Sequence, residues 1–161
     1  MNSISERLER GLAAIIRRAE IGGETIIRCW HAVRDDYRWR PDEDTSLPCI
    51  DIRTSGLSMG TAYAATSGRI EAAITCATLA QDDRDHSQIA GMSAAIEGVI
   101  YGLRREAVAG TPSGVWDELR EVVTFPGQYS LSAILQIEAG VPQGDNLITK
   151  QTKIHFAVCV S

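Results

Sequence analysis

The sequence has no run approaching the roughly 18 apolar residues of a membrane-spanning helix; its weakly polar stretch from Ala72 to Ala80 is far too short. The first residues, Met1-Asn2-Ser3-Ile4-Ser5-Glu6-Arg7, lack a charged start followed by an apolar segment, so no secretory leader is expected. None of the four cysteines (Cys29, Cys49, Cys76, Cys159) belongs to a C-x-x-C pair, which removes the common zinc and thiol-exchange motifs. His155 and Cys159 are four residues apart, a separation of about 13 Å on a strand and too wide for one metal ion. There is no excess of positive charge. Lys and Arg number 16 against 21 Asp and Glu, a net charge of −5, which excludes a general affinity for nucleic acid but not one local basic patch. The loop from Thr54 to Gly68 has no GK[ST] and is not a P-loop. No internal repeat and no low-complexity tract is present. These absences leave a cytoplasmic protein with reduced, structural cysteines and no cofactor as the expectation.

What is present suits one soluble domain. A chain of 161 residues buries roughly 70% of its unfolded surface, enough for its own core. The apolar fraction of 44% and charged fraction of 23% are ordinary. The last third reads as one long antiparallel hairpin. Leu131, Ala133, Leu135 and Ile137 alternate with Ser130, Ser132, Gln136 and Glu138. The turn-rich stretch Gly140 to Asn146 follows. Then Ile154, Phe156, Val158 and Val160 alternate with Lys153, His155, Ala157 and Cys159. A period of two predicts one buried sheet face and one that is wet or meets a partner. A long hairpin with no catalytic cluster beside it is the pattern of a building block rather than an enzyme.

The remaining elements follow from local signals. Ser3 and Glu6 form a capping box, and Leu8, Leu12, Ile15, Ile16 and Ala19 continue at helical spacing to a stop at Gly22-Gly23. Thr25 to Trp30 reads as a short strand and 33–48 as a polar loop. Cys49 to Arg53 reads as a half-buried strand, with Ile50 and Ile52 inward and Asp51 and Arg53 outward. After a loop or hairpin tip at 54–68, Arg69 to Leu79 is a strand with Ile70, Ala72, Ile74 and Cys76 inward. A second helix is predicted from Asp85, capped by Asp85 and Gln88, with Ile89, Met92, Ile96, Val99, Ile100 and Leu103 as its core stripe and Arg104 and Arg105 in its last turn. Thr111-Pro112-Ser113 starts a short third helix through Trp116 and Leu119. Sequential strands with short connections predict an α+β fold: an antiparallel or mixed sheet of about four to five strands, two main helices packed on one face, and a single domain over 1–161.

Three clusters bear on chemistry. Gly56-Leu57-Ser58-Met59-Gly60 matches the G-x-S-x-G nucleophile elbow, and Ser58, Asp145 and His155 could be written as an ordered triad. The elbow requires a buried parallel strand before it and a helix after it. Here the preceding strand carries Asp51 and Arg53, and Thr61 to Gly68 is too short and Gly-bounded for a packing helix. Asp82-Asp83-Arg84-Asp85-His86 gathers carboxylates beside a histidine. Acidic groups answering the positive end of a helix dipole explain it without a metal. Tyr37-Arg38-Trp39-Arg40 has the composition of a protein-interface anchor, and its five acidic loop neighbours disfavour nucleic acid. With Leu57, Met59 and Tyr63 from the 54–68 loop, these four are the candidate interface residues.

The succession of elements resembles the tail-terminator (tail-completion) proteins of long-tailed bacteriophages. The likeness is carried by the amphipathic first helix and by Leu47-Pro48-Cys49-Ile50-Asp51-Ile52-Arg53-Thr54-Ser55-Gly56 leading into a hairpin. It continues through Arg69-Ile70-Glu71-Ala72-Ala73-Ile74, the Asp-rich turn, the long helix and the closing pair of strands. It spans nearly the whole chain but offers no short motif to match residue by residue, so it implies a fold and a role rather than site residues. The implied role is a ring, usually a hexamer, at the head-proximal end of the tail tube, built in the host cytoplasm and retained in the virion. The implied partners are further copies of the chain, the tube protein and the head connector, with DNA crossing the lumen without specific binding, no membrane and no catalysis. Another phage neck or tail-tube protein, a small serine hydrolase using Ser58, and a monomeric binding module are the competing expectations.

Overall fold

The first helix, α1 (Ile4–Arg17), begins where the sequence says it should, with the Ser3 hydroxyl accepting the Glu6 amide at 3.2 Å. A computed structural model of the chain describes residues 3–21, 24–25, 33–34, 47–59 and 67–160. Within it α1 buries Leu8, Leu12, Ile15 and Ile16, the expected stripe. The strands are β1 (Glu20–Ile21), β2 (Glu24–Thr25), β3 (Val33–Arg34), β4 (Cys49–Thr54), β5 (Ser58–Met59), β6 (Ser67–Leu79), β7 (Tyr129–Ala139) and β8 (Leu147–Val160). Between β6 and β7 lie a 3-10 turn (Ala80–Asp82) and the helices α2 (Ser87–Ala109) and α3 (Val115–Val123).

The main sheet has the order β3-β4-β6-β8-β7, with β5 also paired to β6, while β1 and β2 form a separate small ladder. Pairing is antiparallel except between β3 and β4. The architecture is therefore α+β, as the pattern predicts. β6 and β8 run without a register break from Ser67↔Cys159 to Leu79↔Leu147. That ladder aligns Ile70 with Phe156, Ala72 with Ile154 and Gly68 with Val158, so the apolar residues of both strands share a face. The helices α1, α2 and α3 cover that face. Ile89, Met92, Ile96, Ile100 and Leu103 of α2 are buried there, and Trp116 of α3 stacks on Phe156 with ring centroids 6.4 Å apart and planes 6° from parallel. Side chains of this kind contribute about 1.5–3 kcal/mol each when removed from water. Gly11 lets α1 and α3 approach: a Cβ there would stand 2.7 Å from Leu119 Cδ1. Arg18 closes the same helix pair, its Nη2 donating to both carboxylate oxygens of Glu118 at 2.8 Å.

Several local expectations are corrected. In β7 the alternation breaks at two register shifts, between Leu131 and Ala133 and between Ile134 and Gln136. Leu131, Ile134 and Ile137 pack toward the core, whereas Leu135, expected inward, is 41% exposed. Asp51, expected to be wet, is buried and accepts the Arg53 Nε at 2.8 Å. The polar loop at 33–48 opens with β3, and of the strand expected at 25–30 the structure describes Thr25 in β2; 26–30 lie outside the described residues. Helix α2 continues to Ala109 and ends at Gly110, whose φ of 66° is the left-handed conformation suited to glycine. Arg104 and Arg105 therefore precede its last turn. Helix α3 starts at Val115 rather than at Thr111-Pro112-Ser113. Its first amides, of Val115 and Trp116, donate to the Glu106 carboxylate of α2 at 3.2 and 3.3 Å, so the cap comes from another helix.

The N-terminus of α2 is also capped from a different residue than expected. His86, at the cap position, has φ 58° and makes no capping bond, and Asp85 bonds only Ser87, through its amide and hydroxyl. The buried Asp83 carboxylate accepts the amides of Gln88 (2.9 Å) and Ile89 (3.0 Å) and the Thr78 hydroxyl (3.2 Å). It thereby ties the helix start to the end of β6. Asp83→Ala removes a cap and leaves buried donors without a partner, so it is expected to cost about 2–3 kcal/mol in urea unfolding. Asp85→Ala is expected to have a clearly smaller effect, and equal losses would contradict the assignment of the cap.

Candidate interaction surface

The sheet face turned away from the helices is polar because the β6–β8 register puts the alternate residues there. Glu71 stands opposite His155, Ala73 opposite Lys153, Thr75 opposite Gln151 and Arg69 opposite Ala157. β7 adds Gln136 opposite His155 and Glu138 opposite Lys153, and β4 adds Arg53 opposite Ala73. The His155 ring lies between two carboxylates, with Nε2 3.2 Å from Glu138 and Nδ1 3.8 Å from Glu71. Lys153 Nζ is 3.8 Å from Glu71, and Gln136 donates to Glu138 at 3.2 Å. Half-exposed pairs of this kind contribute about 0–1 kcal/mol each. Their consequence is a patch laced with fixed charges of both signs; toward the Leu79 end the same face turns apolar and buried, with Cys49 opposite Ala77 and Leu47 and Leu147 packed beside them.

At one end of this sheet β5 folds onto β6. Leu57 is half-buried against the core, and Met59, opposite Gly68, is 39% exposed. Gly68 is what admits them, since a Cβ there would meet Met59 Sδ at 2.6 Å and Leu57 Cδ1 at 3.1 Å. Met59 lines an open groove of about 400 Å³ with Ser58, Arg69, Ala157 and Leu135. Two of the candidate interface residues thus sit together, and Leu135 joins them from β7. Its signal was the apolar doublet Ile134-Leu135, which a strict alternation cannot place on one face. Tyr37, Arg38, Trp39, Arg40 and Tyr63 lie outside the described residues.

The catalytic constellation is not assembled. Ser58 pairs with Arg69, while Asp145 precedes Leu147, the partner of Leu79. The ten-residue offset along β6 from Arg69 to Leu79 separates them by about 33 Å. Ser58 occupies a short antiparallel strand, not the turn from a parallel strand into a helix that an elbow needs. The acidic cluster serves α2: Asp83 is engaged by three donors, and the Ser87 hydroxyl and amide hold the exposed Asp85 carboxyl below the usual carboxylate range. Among the described residues no group of three or more His, Cys, Asp or Glu side chains is placed to share a metal ion. Among them, too, no helix is long and apolar enough to cross a membrane.

The cysteines divide by environment. Cys49 and Cys76 are buried and Cys159 is exposed. Burial pushes the Cys76 thiol from its ordinary 9.0 up to about 12, against a smaller opposing pull from Lys150. A thiol whose folded value is raised stabilises the fold fully below the unfolded value of 9.0 and loses that contribution as pH rises toward 12. Cys76→Ala is therefore expected to flatten the fall of unfolding free energy between pH 9 and 12, measured by urea titration at each pH. A slope unchanged by the substitution would contradict it. No protein-family model and no curated protein matches this sequence.

Proposed function

We infer that the chain is a structural ring subunit of a long-tailed bacteriophage, closing the head-proximal end of the tail tube and joining it to the head connector. The observation that carries this reading is the two-sidedness of the sheet. Three helices seal one face, while the stretch of the other around Glu71, Lys153, His155 and Glu138 is charged, and a groove lined by Met59 and Leu135, both exposed, lies at one end of the sheet. A subunit of this kind acts by shape. Different patches on one subunit engage neighbouring copies head to tail, and a ring forms when the rotation closes. One rim of such a ring meets the last tube layer, and the other presents chemically different groups to the connector, so that no further tube subunit adds. The net charge of −5 suits a passage through which DNA moves, because like charges limit sticking. The succession of α1, the β4–β6 strands, the Asp-rich turn, α2 and the closing β7–β8 hairpin agrees with this class of protein.

Negative-stain electron microscopy of the purified chain, with light scattering of the same sample, tests the reading. Small annuli of uniform diameter and one closed mass are expected. Unlimited filaments would instead identify a tube-like subunit, and a monomer at every concentration would overturn the reading.

A further inference from the structure

We propose that the two extra residues of β7, Ser132 and Leu135, guard the edge of the sheet against pairing with the same edge of a second copy. The inference stands apart from the ring reading, since it concerns an association that the fold prevents. Among the described residues β7 has a single strand neighbour, β8. Its 11 residues make it about twice the length of a usual strand. A long edge strand offers its unpaired N–H and C=O groups as a template for another chain.

The core has no use for the two residues. Both are exposed, and both fall where β7 shifts register against β8. With them skipped, Leu131, Ile134 and Ile137 stand opposite Val158, Phe156 and Ile154, while Ala133, Gln136 and Glu138 stand opposite Ala157, His155 and Lys153. That is the strict alternation of a regular strand, so a shorter β7 without them would bury the same side chains. What they change is the backbone. A bulge bends its strand and raises the local twist, which turns the outer groups away from a straight partner. Carbonyls beside the first bulge are also engaged by side chains. Ser132 Oγ donates to the Ala157 carbonyl at 3.1 Å, and Arg120 Nε of α3 donates to the Leu131 carbonyl at 3.1 Å. The irregularity is thus held from β7 itself and from a helix. The β4–β6 and β6–β8 ladders, by contrast, run without a break. Among the described ladders the breaks are confined to the strand that has an edge to protect.

The test is deletion of both Ser132 and Leu135 from the full chain, with each single deletion alongside. Analytical ultracentrifugation and hydrogen exchange read the result, and circular dichroism reports folding. The double deletion is expected to stay folded and to shift, with rising concentration, to larger species than the wild type forms. Exchange of its β7 amides is expected to slow as those species appear. Ala133→Lys in the shortened chain places a charge on the straightened edge and is expected to reverse the shift. A folded double deletion with the wild-type mass at every concentration would overturn the proposal. So would an association that Ala133→Lys leaves intact, because it would run through another surface. Loss of the fold in the double and in both single deletions would show that the bulges serve the core instead. Slow exchange of the outer β7 amides in the wild type would show an edge already covered, and would likewise overturn it.

Discussion

The uninterrupted pairing of β6 with β8, from Ser67↔Cys159 to Leu79↔Leu147, is the constraint on which the other elements depend. Side chains alternate strictly across a strand, so this one register assigns every residue of both strands to a face. A slip by one position would turn Phe156 and Ile154 to the polar side and bring Lys153 and His155 under the helices. With the register fixed, the apolar face must be covered, and α1, α2 and α3 cover it. The polar face then carries its own balanced charges and a rim where Met59 and Leu135 remain exposed.

The helices are tied to the sheet and to one another by carboxylates that act at a distance in sequence. Asp83 joins the end of β6 to the first turn of α2. Glu106 of α2 accepts the first amides of α3. The buried Glu9 of α1 accepts the Thr54 amide at the end of β4 at 3.2 Å. Each satisfies a backbone donor that a buried helix or strand end would otherwise leave at a cost of about 1–3 kcal/mol. These contacts fix angles between layers that the nondirectional packing of Ile and Leu would leave adjustable. At the sheet edge, the two bulges of β7 twist its outer backbone away from regular pairing, a device that discourages uncontrolled strand addition. An assembly built from such a subunit would then depend on side-chain patches rather than on an extended sheet.

The fold class, α1 and the inward faces of β4, β6, β8 and α2 were legible because each obeys a simple period. Ile70, Ala72, Ile74 and Cys76 at spacing two, and Ile89, Met92, Ile96, Ile100 and Leu103 at helical spacing, are local signals of burial. What escaped was set by tertiary contact. The choice of Asp83 over Asp85 depends on the left-handed His86 and on Thr78, neither of which is visible as a spacing. Pro112 marked the region of α3 correctly, but the start of that helix is decided by Glu106. The burial of Asp51, on the face that alternation turns outward, is likewise not visible as a spacing. Bulges broke the period in β7, and the Ile134-Leu135 doublet was their trace. For the interaction surface, composition pointed to Leu57 and Met59, whereas the exposure of Leu135 and Val141 required the folded chain.

Residue-resolved native-state hydrogen exchange probes the governing ladder most directly. The amides of Ile70 to Ile74 and Ile154 to Val158, on strands paired along both sides, are expected to exchange only through global unfolding. The outward amides of β7, at the sheet edge, are expected to exchange faster by orders of magnitude. Exchange of the β6 and β8 amides at the rate of the β7 edge would show that their register does not hold the fold together.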